Sequence, residues 1–237
     1  MMKEKFHIFC QYWPEADGDV TDAIRENLAL EDTRVHLFSV NSPSMGWDEK
    51  NLSILTIGSR ITYSTFLSAV SNLIFPEDSY AILINSDIKI PQSTLKKLPN
   101  FSEKTALSVS RREADGSLPA SAYGTKPDNC QDVWIVRPQD FSDSLLDTCS
   151  LIELGRPGCE NRFVAELFTD GYSVYNPCND LIFIHNTNKE VASYPDPDDT
   201  RRYNGLYAYP SPCSKYDIGQ VDAQKITRFY HKIRGKW

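Results

Sequence analysis

The chain has 237 residues, of which 41% are hydrophobic and 24% charged, as in an ordinary soluble globular protein. Its formal net charge of −7 argues against a nucleic-acid binder, which usually presents a basic face. No apolar run approaches the ~18–20 residues that cross a bilayer, and the first residues, MMKEKFHIFCQYW, lack the features of a signal peptide. We therefore expect a cytoplasmic protein with no membrane span and no nucleic-acid partner.

The six cysteines are scattered along the chain. None forms a C-x-x-C pair and no histidines cluster, so the spacing does not fit a zinc site. Their density is also far below that of a disulfide scaffold. We interpret all six as structural or incidental, with Cys10 a buried free thiol in the first strand.

The first half of the chain alternates predicted strands with predicted helices. Strands are expected over 5–10, 34–40, 52–57 and 80–84, and helices over 19–30 and 63–74. This alternation predicts an α/β fold with a mostly parallel sheet covered by helices. In the second helix Phe66, Leu67, Val70 and Ile74 have helical spacing and should face the core.

The second half is less regular. Strands are expected over 104–109, 133–136, 172–175 and 181–185, and a helix over 160–169 that ends at Gly171. The segment 186–214 is polar and holds four prolines, which indicates an irregular surface or lid. We predict a single domain over 1–237, in which 186–237 is an irregular C-terminal acceptor or lid segment.

The tripeptide Asn85–Ser86–Asp87 directly follows the buried strand predicted over 80–84. A carboxylate at this point lies where open α/β sheets bind ligands, beyond the carboxyl ends of the strands. It can hold Mg²⁺ or Mn²⁺, and through the metal a diphosphate. The same residue types also form turns that close strands, so this segment alone leaves both interpretations open.

Further chemistry is suggested at three other places. Arg60 and Tyr63 precede a helix, where an arginine can bind phosphate, although in isolation an exposed Arg and a core Tyr are the preferred interpretation. Glu160 in a first helical turn is either good helix design, worth about 0.3–1 kcal/mol, or a general base. His185 ends an apolar strand and becomes a metal ligand only if Asp87 is one.

Asp132 and Trp134 lie at the start of another predicted strand. Asp132 is the second candidate for the base. The Trp134 indole could stack on the apolar face of an acceptor sugar, or it could be a core residue.

Seven segments, taken in chain order from Arg60 to Tyr207, resemble glycosyltransferases of the GT-A fold, especially small bacterial and viral ones. They are RITYSTF, LINSDIKI, LSVSRR, QDVWIV, LGRPGCENRFVAEL, GYSVYNP with IFIH, and RRYNGLY. The resemblance implies a mostly parallel central sheet flanked by helices, and a nucleotide-sugar donor.

The resemblance also implies roles for individual residues. LINSDIKI matches the DxD motif of the fold, so Asp87 would bind the divalent ion with Asn85 as its weaker partner, and His185 would complete the site. Glu160 would be the catalytic base. The residues implied to bind the donor are Gln11, Tyr12, Asn41, Arg60, Tyr63, Asn85, Ser86, Asp87 and Arg162. Because Asn85 replaces the first aspartate of the motif, a metal-independent enzyme remains open.

The predicted function is transfer of a sugar from a nucleotide-diphosphate sugar to a hydroxyl of a glycan or lipid-linked acceptor. We expect inversion, Mn²⁺ or Mg²⁺ as cofactor, and a role in glycan or polysaccharide biosynthesis. A sugar-phosphate nucleotidyltransferase is an alternative, although QYWPEADGD after the first strand is acidic rather than glycine-rich and basic. A non-catalytic carbohydrate-binding module on the same fold is another.

The C-terminal tail, KITRFYHKIRGKW, is basic. It could draw the protein to the inner face of an anionic membrane that carries a lipid-linked acceptor. A solvated helix end explains the same residues.

Overall fold

A computed structural model describes residues 4–13, 18–40, 50–119, 130–186 and 203–220, and the backbone of 228–232. The strands are β1 (Phe6–Tyr12), β2 (Thr33–Ser39), β3 (Leu52–Thr56), β4 (Tyr80–Ile84), β5 (Ile88–Lys89), β6 (Thr105–Ser110), β7 (Gln131–Val136), β8 (Ser173–Tyr175), β9 (Ile184–His185), β10 (Gly205–Tyr209) and β11 (Arg228–Lys232). The α-helices are α1 (Gly18–Leu28), α2 (Tyr63–Asn72), α3 (Gln92–Leu95), α4 (Asp143–Cys149) and α5 (Cys159–Thr169).

Seven strands form one sheet in the order β3-β2-β1-β4-β7-β6-β8. Neighbouring strands from β3 to β4 are parallel, and β8 is parallel to β6. Only β7 runs against its neighbours, pairing antiparallel with both β4 and β6. The amino end of β7 therefore lies at the same edge of the sheet as the carboxyl ends of β1, β4 and β6. The predicted mostly parallel α/β sheet is confirmed.

Both faces of the sheet are covered. On one face α2, α4 and α5 pack against a core that contains Phe66, Trp134 and Phe163. On the other, α1 and α3 contribute Ile24, Leu28 and Leu95 to a second core. Helix α4 was not expected from the sequence, because it is two turns long and buries only Leu145 and Cys149, too few residues for a visible period.

Helix α2 begins at a capping box in which the Thr62 and Thr65 side chains satisfy each other's backbone N–H groups. It buries Phe66, Leu67 and Val70 as predicted, and it also buries Tyr63. The prediction for Ile74 is wrong, since this side chain is 98% exposed. The chain leaves the helix at the extended residue Leu73, two residues before the Phe75–Pro76 step that disfavours helical backbone.

The C-terminal region contains more regular structure than the sequence indicates. β10 and β11 pair antiparallel, and β10 packs on α5. The predicted irregular segment is therefore interrupted by a strand over 205–209, and the basic residues 228–232 form a strand rather than a helix end. Residues 187–202 lie outside the described residues, and the prediction of a single domain with a C-terminal lid stays a prediction.

All six cysteines have free thiols, and five of them are buried, among them Cys10. Among the described residues, the helices are too short and too polar for any of them to cross a membrane.

Candidate active site

Polar residues from three strands meet at the carboxyl edge of the sheet. Asn85 follows β4, Arg111 follows β6, and Asp132 is the second residue of β7. Because β7 is antiparallel to both neighbours, its amino end brings Asp132 between the other two residues. The backbone N–H of Asn85 donates to the carbonyl oxygen of Asp132 at 3.1 Å, which fixes the two strand ends together.

Asp132 is the centre of a buried polar cluster and is only 4% exposed. One carboxylate oxygen accepts a hydrogen bond from the Asn85 side-chain amide. The other accepts from Nη1 of Arg111 at 3.1 Å, and Nη2 of Arg111 lies 3.4 Å from Oε1 of Glu113. Desolvation raises the pKa of Asp132, whereas the charge of Arg111 opposes this shift.

No role was predicted for Arg111, although it lies within the segment LSVSRR. Its position directly after a buried strand was the available signal. The direction of β7, which supplies its partner Asp132, could not be obtained from local pattern.

Asp87 and His185 form a second pair at the same edge. Ile88 pairs with His185 in the β5–β9 ladder, and the backbone N–H of Asn186 donates to the Asp87 carbonyl at 2.8 Å. These contacts bring Nε2 of His185 within 3.0 Å of Oδ2 of Asp87. Its Nδ1 lies 3.4 Å from Oε2 of Glu113. Desolvation lowers the pKa of His185, but the hydrogen bond and charge of Asp87 outweigh it, and the pKa is raised.

Asp87 and His185 are the residues of this edge that could hold a divalent metal. Their 3.0 Å separation is that of a hydrogen bond, and it is also close to the about 2.9 Å between two ligands at right angles on an octahedral ion. A carboxylate with an imidazole fits Mn²⁺ better than Mg²⁺. Among the described residues, no group of three His, Cys, Asp or Glu side chains could hold a metal. The remaining ligands would have to be phosphate oxygens, the Asn85 amide oxygen or waters.

Glu160 lies in the first turn of α5, behind Gly158, whose φ of +80° turns the chain into the helix. Any side chain at position 158 would also meet the Tyr207 ring, at 3.0 Å from its Cβ. Desolvation raises the pKa of Glu160 to about 8, and the negative charge of Asp132 adds to the shift. A carboxyl group with this pKa is protonated at neutral pH and becomes a base in mildly alkaline solution.

The end of β1 is tied to the loop before α2 and to the end of β4. Oε1 of Gln11 accepts from the Ile61 N–H at 3.2 Å, and the Ser86 hydroxyl donates to the Gln11 carbonyl. Nε2 of Gln11 is buried with no hydrogen-bond partner in the described part of the chain. The Arg60 guanidinium lies over the Trp13 ring, 5.6 Å from its centroid, and donates to a backbone carbonyl.

Four of the remaining predicted residues lie in other surroundings or cannot be placed. Tyr63 and Trp134 are 0% and 1% exposed, so neither ring offers a face to a nucleotide or to an acceptor sugar. Both pack as core residues, with ring centroids 5.1 Å apart. Arg162 forms an ion pair with Glu166 and donates to two backbone carbonyls of 204–206, which holds α5 to β10. Asn41 lies outside the described residues.

Tyr12, the last of the residues predicted to bind the donor, is buried at the end of β1, beside Gln11 in the chain.

No family model matches this sequence, and a search of curated proteins finds no significant match. Solved structures do match. A candidate nucleotide-diphospho-sugar transferase from Desulfovibrio desulfuricans G20 has a TM-score of 0.50 at 11% identity, over 83% of this chain and 93% of that one. The glycosyltransferase GlyE of Streptococcus pneumoniae TIGR4 has a TM-score of 0.50 at 10% identity, over 79% of this chain. This match spans 55% of the GlyE chain.

A third structure, a point mutant of Drosophila β1,4-galactosyltransferase 7 in complex with manganese, UDP-Gal and xylobiose, has a TM-score of 0.44 at 13% identity. That match covers 84% of this chain and 81% of the other. Together the first two matches show that this chain has the GT-A fold of nucleotide-diphospho-sugar transferases. The predicted fold is confirmed.

Proposed function

We propose that this protein is a glycosyltransferase that moves a sugar from a nucleotide-diphosphate sugar to an acceptor hydroxyl with inversion. The observation that carries the proposal is that two acidic side chains, Asp87 and Glu160, lie at the carboxyl edge of a GT-A sheet. Asp87 with His185 offers a place for a metal and a diphosphate, and Glu160, with its pKa of about 8, offers a base beside Asp132. Edges of this kind are where open α/β sheets bind ligands.

The donor would lie across the ends of β1 and β4. Nε2 of Gln11, which has no hydrogen-bond partner among the described residues, is a buried donor that a nucleotide oxygen could satisfy. Arg60 and Trp13 together present a cation and an aromatic ring close to the same strand end, a combination suited to a phosphate or a base. Ser86 and Tyr12 complete this side of the site, and Asn41 is retained as a predicted contact.

Asp87 and His185 would hold Mn²⁺ or Mg²⁺ at the diphosphate, where the ion would supply charge neutralisation of the leaving group. Asn85, whose amide donates to Asp132, would orient that carboxylate and add at most a weak metal contact. The positive charge of Arg111 lies at the same edge, and it would also offset phosphate charge.

Glu160 would accept the proton of the acceptor hydroxyl as that oxygen bonds to the anomeric carbon and the bond to the diphosphate breaks. General base catalysis of this kind contributes about 10²–10⁴-fold. Because the pKa of Glu160 is about 8, kcat/KM should rise with pH and level off above that value. Glu160→Gln should lower kcat by the same factor while leaving donor affinity unchanged, and NMR of the product anomer in the wild type would test inversion.

The acceptor would be a glycan or a lipid-linked glycan of a polysaccharide pathway. The C-terminal segment 186–237 would contact it and act as a lid. The basic tail could bring the cytoplasmic protein to the inner face of an anionic membrane.

The first experiment is a calorimetric panel of UDP-, GDP-, dTDP- and CMP-sugars with and without Mn²⁺. We expect one donor to bind, with Mn²⁺-dependent affinity that is lost in Asp87→Ala. Asp115→Ala, which removes an exposed carboxylate from the loop after β6, is the matched control and should bind normally. Binding without metal that survives Asp87→Ala would remove the metal role and keep the transferase.

A product assay separates the alternatives. Release of nucleoside diphosphate from a nucleotide sugar supports the proposal, whereas release of pyrophosphate from a nucleoside triphosphate and a sugar phosphate would identify a nucleotidyltransferase. Sugar binding with neither reaction, unchanged in Asp87→Ala and Glu160→Ala, would identify a binding module.

A further inference from the structure

Each of the acids Asp132 and Glu160 has a buried amide side chain as its neighbour in the sequence. Gln131 precedes Asp132 at the start of β7, and Asn161 follows Glu160 in the first turn of α5. Gln131 is 0% exposed and Asn161 is 4% exposed. Buried amides are expensive unless they are hydrogen-bonded, so their partners indicate what they hold in place.

Asn161 uses both hydrogens of its Nδ2 for bonds to other elements. It donates to Oε1 of Gln131 at 2.8 Å and to the backbone carbonyl of Ala208, in β10, at 3.1 Å. The first bond joins the amino end of α5 to the amino end of β7. The second joins the same helical turn to the C-terminal strand pair.

This amide bridge fixes the turn of α5 that carries Glu160 against the strand end that carries Asp132. The charged and titratable groups around Glu160 are Asp132, Arg111, the Cys130 and Cys159 thiols and the Tyr63 hydroxyl. Asp132, Arg111 and Cys130 belong to the β6–β7 edge. Their influence on Glu160 therefore depends on how closely α5 approaches that edge.

We propose that Gln131 and Asn161 are positioning residues that set the separation of the Glu160 and Asp132 carboxyl groups, an inference that rests on the proposed roles of those two acids. Neither amide needs to touch the donor or the acceptor. Loosening the bridge would let the first turn of α5 move outward, so that Glu160 gains water and moves away from the negative charge of Asp132.

The test compares Asn161→Leu with Asn176→Leu. Asn176 is a control of similar burial, 0% exposed, whose Nδ2 also makes one 2.8 Å bond to a side chain, Ser110, and one 3.1 Å bond to a backbone carbonyl, Pro210. Its Oδ1 also accepts from the Ser110 backbone N–H at 3.0 Å. Leucine has nearly the shape of asparagine and removes only the hydrogen bonds. Both variants should melt at a lower temperature than the wild type.

The readout is the ¹³C-NMR titration of the Glu160 carboxyl group, assigned by its disappearance in Glu160→Gln. In Asn161→Leu we expect the pKa of Glu160 to fall by about one unit or more from its value of about 8, because desolvation and the Asp132 charge both act less. In Asn176→Leu it should stay at the wild-type value. A wild-type titration in folded Asn161→Leu would overturn the proposal and leave the bridge a purely structural one.

Should Asn161→Leu fail to fold, Gln131→Met removes the acceptor and leaves the bond from Asn161 to Ala208 in place. The same downward shift supports the proposal, and an unchanged titration overturns it. A rescue test uses the length of the bridge. Gln131→Asn shortens the bridge by one methylene and should lower the pKa of Glu160. Adding Asn161→Gln to the same protein restores the length and should return the pKa towards its wild-type value. The titration needs no donor or acceptor, so a negative result in the donor panel would leave this test unaffected.

Discussion

Two buried polar clusters lie on the same sheet and differ in charge. The cluster at the carboxyl edge contains Arg111 and Asp132, 3.1 Å apart, and so combines a basic with an acidic group. The other lies between β1 and β2, where Nδ1 of His7 is 3.1 Å from Nε2 of His36. There the Phe9 ring stacks on His36 with centroids 4.4 Å apart.

Hydrogen-bond geometry assigns a direction to the histidine cluster. The Glu4 carbonyl, 3.2 Å from Nε2 of His7, can only accept, so this nitrogen donates and Nδ1 of a neutral His7 accepts. Nε2 of His36 must then donate to His7, and its Nδ1 accepts from the Ser53 hydroxyl at 2.6 Å. Every ring nitrogen has a partner while both rings stay neutral.

The electrostatics agree with this direction. Desolvation lowers the pKa of His36 to about 3, and it also lowers the pKa of His7. In the histidine cluster, neutral groups satisfy one another's hydrogen bonds within the sheet, and this arrangement stabilises the fold. Acidic and basic groups that meet at strand ends, as Arg111 and Asp132 do, lie where ligand phosphates and hydroxyls can reach them. Burial alone therefore does not distinguish a structural cluster from a candidate site, whereas charge and position at the edge do.

The largest difference should appear when one partner is removed from the charged cluster. Asp132→Leu leaves the Arg111 guanidinium beside a buried apolar group, with the longer 3.4 Å contact to Glu113 as its remaining ion pair. We expect the free energy of unfolding, measured by denaturant titration, to fall by about 3–5 kcal/mol.

The double variant Asp132→Leu/Arg111→Met is the control for that cost. Replacing a whole buried ion pair with hydrophobic residues is often close to neutral, so most of the stability should return. Donor binding should nevertheless be weaker than in the wild type, because the Arg111 charge that would offset phosphate charge is gone. A single variant that loses less than about 1 kcal/mol would mean that water, not protein, solvates Arg111.

Removing one partner from the neutral cluster should cost less. His36→Leu leaves Nδ1 of His7 and the Ser53 hydroxyl without their partner, and both are uncharged. We expect a loss of about 1–3 kcal/mol in the same denaturant titration. Donor affinity should equal that of the wild type, and a loss of binding in a folded His36→Leu protein would contradict the division into two clusters.

The elements that local pattern determines were predicted well. Runs such as 80–84 are apolar and β-branched, so their strands and the place of Asp87 directly after β4 could be read from the sequence. The apolar face of α2 was visible in the same way, except that the helix ends before Ile74 and Pro76.

Features that depend on long-range pairing were not available from the sequence. Arg111 meets Asp132 only because β7 runs antiparallel between β4 and β6. His7 meets His36 only because β1 and β2 pair in a register that places Phe9 opposite His36. From the sequence, Trp134 could be interpreted either as a ring that stacks on a sugar or as a core residue. The packing of α5 on the sheet, where Phe163 contacts Trp134, shows that it is a core residue.

The measurement that best separates the two clusters is the pH dependence of the free energy of unfolding. The pKa of His36 is lower in the folded protein than in the unfolded chain, where it is near 6.5. The unfolded state therefore binds more protons between these values, and the free energy of unfolding should decrease as the pH falls below about 6.5. One such histidine contributes at most ~1.4 kcal/mol per pH unit.

Carboxylates also titrate in this range, so the difference between wild type and His36→Leu isolates the histidine. The curve of the variant should be flatter between pH 6 and pH 4, because His36 no longer takes up a proton on unfolding. The two curves would be parallel if His36 were already protonated in the folded protein. That result would require a charged imidazole between His7 and Ser53, and it would remove the neutral chain of hydrogen bonds on which the comparison of the two clusters depends.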